Sequence, residues 1–206
     1  MRSGTELALT PPLELERMLG GDLVAIRSAE ADDGALLREL MLEFAQSRRR
    51  GRRGRLGFGP RIPKALQPLT APARLEECLL AIDPHTGRGL GMATIPHASE
   101  DAATAAPWVL VREGFRRRGI GTALLERLAA RARARDYERF RMRIVVAEQR
   151  MLELMRGVGV TCRQGGGRRE VDADVPIPEG EGLGVALGAA LWAVARGGLQ
   201  PVPPRW

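Results

Sequence analysis

The chain is 206 residues long, 44% hydrophobic but only 4% aromatic, and carries a formal charge of +7. That length suits one domain of ordinary size with extensions, its core built mainly from Leu, Val, Ile and Ala. Of the 32 basic residues only Lys64 is a lysine; so one-sided a choice, among so many Ala and Gly, reflects codon bias better than an arginine-specific task, and the charge is discounted as evidence for nucleic acid.

In chain order, residues 1–21 read as a loosely ordered leader and Leu23–Ala29 as a strand. A helix follows, with Leu36, Leu37, Leu40, Met41 and Phe44 at helical spacing. RRRGRRGR, Arg48–Arg55, is a basic, glycine-rich loop, and IPKALQPLTAP a short helix and turn. ARLEECLLAID and LGMATIPH are two strands joined by the turn PHTGRG. PWVLVRE is a further strand, almost wholly apolar and so expected to be central in its sheet. GIGTALLERLAARARARD is a helix with Ile120, Leu124, Leu125 and Leu128 on one face and arginines on the other. ERFRMRIVVA is a strand, EQRMLELMRG a helix, VGVTCRQ a strand, and GGGRREVDADV turns into a last one. The irregular mixed α/β order argues against a full Rossmann domain.

Cys78 and Cys162 form no CxxC or zinc spacing. Both lie in predicted strands and read as reduced core residues of a cytoplasmic protein, with no metal expected. The N-terminus lacks a basic segment followed by an apolar one, so no signal peptide is expected. The longest apolar run, Leu183–Ala195, is too short and glycine-rich to span a bilayer. It is expected to form a helix covering the domain or a second copy of it, which makes a homodimer one outcome.

REGFRRRGIGTALLERL, residues 112–128, carries the chemistry. A buried strand, a tight turn and a helix opening on Gly119 and Gly121 make an anion site. The first helical N–H groups lack intrahelical partners, and the helix dipole favours negative charge there. Arg116, Arg117 and Arg118 add charge, which points to a phosphate or pyrophosphate. A P-loop would need GxxxxGK followed by Ser or Thr, and a dinucleotide fingerprint a third glycine where Leu124 stands.

VLVREGFRRRGIGTALLERLAARARARDYERF resembles the acyl-CoA-binding segment of the GNAT superfamily of N-acyltransferases. That family carries Gln/Arg-x-x-Gly-x-Gly/Ala after its fourth strand, matched by Arg116, Gly119 and Gly121. AEQRMLELMRGVGV is similar to the family's later helix and strand, and LRELMLEFAQSRRRGRRGRLGFGPRIPKALQPLT to a region of actinobacterial GNAT domains of the protein lysine acetyltransferase type. The resemblance implies a mixed central sheet flanked by helices, here with a C-terminal helical extension: a leader at 1–21, an acyl-CoA-binding domain at 22–176 and the extension at 177–206. It implies acetyl-CoA as co-substrate. Its pyrophosphate would lie on the turn of Arg116, Arg117, Arg118, Gly119, Ile120, Gly121 and Thr122, and its pantetheine arm along Val109, Leu110 and Val111. An open strand edge can pair with such an amide-bearing arm.

The family transfers the acyl group directly to an amine, of a small molecule or a protein lysine. The positions where its members commonly hold a glutamate base and a tyrosine acid are Ala106 and Met155 here. The only tyrosine, Tyr137, reads as a capping or packing residue. Glu100, in a loop near the acceptor side, is the best substitute base; His97 has a suitable ordinary pKa, while His85 reads as a turn residue. Asp101 and Glu148 are further carboxylates nearby, the latter explained by its helix dipole. Positioning alone supplies much of the acceleration in direct transfer, and strand dipoles can polarise the thioester carbonyl. The rival reading is a non-catalytic acyl-CoA-binding regulatory or sensor domain, favoured by Ala106 and Met155. A nucleic-acid-binding module, raised by Arg48–Arg55, ranks last, because no aromatic is interleaved for base stacking.

Overall fold

The computed structural model describes residues 14–18, 21, 23–50, 78–95, 102–146, 149–165, 170–180, 182–195 and 199–201. Its elements are strands β1 (Glu14–Arg17) and β2 (Leu23–Ser28), helix α1 (Gly34–Arg50), strands β3 (Cys78–Ile82), β4 (Gly89–Thr94), β5 (Thr104–Ala105) and β6 (Trp108–Val111), helix α2 (Ile120–Arg133), strand β7 (Arg139–Val146), helix α3 (Gln149–Gly157), strands β8 (Thr161–Gln164) and β9 (Glu170–Pro176), helix α4 (Gly184–Ala195) and strand β10 (Leu199–Pro201). This is the mixed α/β fold expected, with helices flanking two sheets.

The first sheet runs β1-β2-β3-β4-β6, antiparallel throughout. The second runs β10-β7-β9-β8 and takes β5 as a parallel partner of β7. Apolar residues alternate between two cores. Leu80, Met92, Trp108 and Leu110 pack with Leu37, Leu40 and Met41 of α1. Leu79, Ala81 and Ala93 join Ile120, Leu124, Leu125 and Leu128 of α2, with Val109 and Val111 packed against them. The predicted apolar face of α2 is thus the buried one; the side chain of Phe44 lies outside the described residues.

β6 is not central in its sheet. It ends the first sheet, pairing with β4 alone among the described strands. Its apolar character comes from having both faces covered, one by each core, while its other edge pairs with no described strand. Strand hydrophobicity reports covered faces and says nothing of edges.

Two strands fall where the sequence pattern shows none. β1 lies in the stretch read as a leader, and β10 follows the apolar helix. Leu15 of β1 is exposed, and the strand pairs antiparallel with β2 through its backbone. The apolar run does form a helix, α4, whose Leu187, Ala190 and Ala193 are buried in the α2 core. Among the described residues, no helix is long and apolar enough to cross a membrane.

Candidate functional site

The two sheets part at Ala106 and Pro107. Just before them Thr104–Ala105 pairs in parallel with Arg139–Phe140; just after them Trp108–Val111 pairs antiparallel with β4. One run of chain thus serves two sheets, and a wedge opens beyond the crossing between β6 and β7. The Arg112 N–H donates to the Leu90 carbonyl at 2.8 Å. By alternation Leu110 and Trp108 also turn their backbone groups toward β4, which leaves those of Val109 and Val111 on the wedge side.

β6 ends in a 3₁₀ turn, Glu113–Phe115, closed by the Phe115 N–H on the Arg112 carbonyl at 2.9 Å. The chain then takes two left-handed residues, Arg117 at φ +61° and Gly119 at φ +94°. The first helical bond of α2 is donated by the Ala123 N–H to the Gly119 carbonyl at 3.0 Å. The amides of Ile120, Gly121 and Thr122 therefore have no acceptor within the helix, and they open at the positive end of its dipole. A Cβ at Gly121 would meet only Val111 Cγ2, at 3.5 Å. The exposed Arg116 donates from Nε to the Val111 carbonyl at 3.3 Å and pairs with Glu113 at 3.6 Å. Arg118 lies over the Phe115 ring, 5.1 Å from its centroid. Residues 109–111 and 116–122 thus meet as a strand edge that pairs with no described strand, its Val111 carbonyl taken by Arg116, leading to the amides at the start of α2. Such a surface can take an extended amide followed by an anion.

Arg112, not singled out by the sequence reading, anchors this assembly. Its buried guanidinium donates from Nε to the Gly89 carbonyl at 2.9 Å and pairs with Glu39 at 2.8 Å and with Glu43. It ties the end of β6 to both β4 and α1. The spacing of Glu39 and Glu43, four apart on one helix face, is the signal that could have found it. A shallow groove beside it is lined by Leu40, Glu43, Leu110, Val111, Arg112, Glu113 and Arg116.

The other sequence candidates divide. Glu100, His97, Asp101 and Glu148 lie outside the described residues. Ala106 stands at the crossing itself, half-buried. Met155 is fully buried in the α2 core. The Tyr137 N–H donates to the Ala132 carbonyl at 3.1 Å and its ring packs on the core. His85 is exposed in a turn, its N–H donating to Asp83 Oδ1 at 2.9 Å. Burial pushes the Cys78 thiol up to about 12, so it is no nucleophile near neutrality; Cys162, half-buried in β8, is raised by the same cause. Among the described residues, no three His, Cys, Asp or Glu side chains group as a metal site requires.

The acetyltransferase (GNAT) family model matches residues 57–160, half of the chain, and the chain belongs to that family. No curated protein matches it. Among solved structures, the GNAT domain of S. lividans PAT is similar at 20% identity and TM-score 0.57, over 80% of this chain and 96% of that one. A GNAT-family acetyltransferase from Listeria monocytogenes is similar at 14% identity and TM-score 0.57, over 79% and 99%. N-acetylglutamate synthase from Neisseria gonorrhoeae, solved with coenzyme A and N-acetyl-glutamate, is similar at 15% identity and TM-score 0.50, over 76% and 35%.

Proposed function

We propose that the chain is an acyl-CoA-dependent N-acyltransferase with acetyl-CoA as donor, acting in the cytoplasm on the amine of a small molecule or a protein lysine. The observation that carries this reading is the edge of β6 left unpaired by the described strands, leading into the left-handed turn at Arg117 and Gly119. The turn residues Arg116 to Thr122 would hold the pyrophosphate and Val109–Val111 the pantetheine arm, within a domain spanning residues 22–176. The coenzyme A named with the Neisseria structure is in keeping with this.

The amine would attack the thioester carbonyl directly. A C–N bond forms, the C–S bond breaks, the amine proton passes to solvent and the thiolate leaves. With Ala106 and Met155 where relatives commonly hold a base and an acid, the described chain supplies positioning and backbone dipoles rather than proton transfer. Losing such help costs about 10²–10⁴-fold in rate. Turnover of acetyl-CoA against an amine panel, followed across pH, tests this. The rate is expected to climb with pH as the amine itself deprotonates, and Ala106→Glu to raise it. A profile already flat at pH 7 that collapses in Glu100→Gln or His97→Ala would name one of these as the base. Tight coenzyme A binding without turnover on any amine would leave a non-catalytic acyl-CoA sensor.

A further inference from the structure

A β-strand has two edges for backbone pairing, and β7 fills them unequally. β9 takes one edge from Arg139 to Val145. The other therefore carries both β5, at Arg139–Phe140, and β10, at Ile144–Val146. β5 leads through Ala106 and Pro107 into β6, so this second edge is the one turned toward β6 across the wedge. Continuing the parallel register of β5 and β7 sets Ile144, Val145 and Val146 level with Val109, Leu110 and Val111. β10 thus lines the wall of the wedge opposite the strand edge assigned to the pantetheine arm.

Its hold on β7 is slight. β10 has three residues, and Pro201 brings no N–H to the ladder. So short a strand is not stable on its own. α4, fixed in the core by Leu187, Ala190 and Ala193 and packed on α3 and β9, keeps it close, in effect at high local concentration. β10 is itself an extended backbone bearing amides, the same bonding groups that a pantetheine arm carries.

We propose that Leu199–Pro201 is an autoinhibitory strand, which narrows the wedge in the free protein and leaves β7 when acyl-CoA enters. The proposal rests on the coenzyme A reading above. It makes the apparent affinity smaller than the intrinsic one by the fraction of molecules whose wedge is open.

Val145 and Gln200 are direct cross-strand partners, within the span a disulfide bridges. In the full chain carrying Val145→Cys and Gln200→Cys, coenzyme A is titrated calorimetrically into the oxidised and then the reduced protein. Oxidation is expected to weaken binding by at least about tenfold, with recovery on reduction. Gln200→Pro, which weakens the ladder, is expected to bind several-fold more tightly than the parent chain. Equal affinity of oxidised and reduced forms, with the disulfide confirmed by mass, overturns the proposal while leaving the coenzyme A site standing. An unchanged affinity in Gln200→Pro, with amide exchange at β7 showing β10 released, overturns it as well. If neither the parent chain nor the reduced variant binds coenzyme A, the coenzyme A reading falls and takes this one with it.

Discussion

Gly121 separates what holds the fold from what would hold an anion. It is the second residue of α2, and a Cβ there meets only Val111 Cγ2 at 3.5 Å, an ordinary contact. Gly121→Ala therefore introduces no clash and removes the entropic cost of glycine in a helix, a gain of roughly 0.5–1 kcal/mol. Gly121→Glu keeps most of that gain and places an acid in the first turn, worth about 0.3–1 kcal/mol more. Both variants are expected to melt higher, by about 2–4 °C per kcal/mol for a chain of this size. Binding goes the other way. A carboxylate about 4 Å from a phosphate charge costs about 4 kcal/mol at an effective dielectric near 20, close to a thousandfold in Kd. Calorimetry with coenzyme A should thus show binding lost in Gly121→Glu and weakened in Gly121→Ala, while scanning calorimetry shows both folds stabilised. Unchanged affinity in Gly121→Glu refutes the anion site; a lowered melting point in Gly121→Ala refutes the packing argument.

Arg117 holds a left-handed conformation that costs a side-chain-bearing residue about 1–2 kcal/mol. Arg117→Gly should raise the melting temperature and Arg117→Ala should not, while both lose the same affinity for coenzyme A, by at most about 1.5–3 kcal/mol. Gly91→Ala would put its Cβ 2.7 Å from the Leu110 carbonyl, so β4 and β6 must shift; denaturant titration should show a loss of about 1–3 kcal/mol. Burial pushes the Asp33 carboxyl up, but hydrogen bonds from Arg27 and the Glu30 amide hold it below the usual 3.8. Its folded pKa is depressed, so its contribution is present above that value and fades as pH falls through the lower folded one. Acid melts should therefore be less steep in Asp33→Asn, and identical profiles would remove Asp33 from the account.

How much of this was legible depended on what each residue's signal measures. The α2 face and the glycine spacing at 119 and 121 were readable because helical period and backbone permissiveness are written locally. The edge position of β6 was not, since both its faces are covered and its composition matches that of an interior strand. β1 and β10 were not readable because each is defined by its backbone pairing with β2 or β7, a partner that only the folded sheet supplies. Arg112 escaped because its partners, Glu39, Glu43 and Gly89, are remote in sequence. Ion pairs such as Arg141–Asp174 and Arg143–Asp172 are set by the β7–β9 register, which only the folded sheet supplies.

The run from Thr104 to Val111, shared by both sheets, also orders the molecule's assembly. Everything in the first sheet comes from residues before 112 and everything in the second, apart from β5, from residues after 138. Each half can therefore condense largely from its own stretch of chain, its loops closing at lower entropic cost than a sheet interleaved across the whole length. The β5–β7 pairing joins the halves, spanning all of α2. The longest closures lie within the halves, where β2 pairs with β3 and β7 with β10 across more than fifty residues each, and these, rather than the shorter stitching of Thr104–Ala105 onto Arg139–Phe140, are the long-range contacts that set the pace.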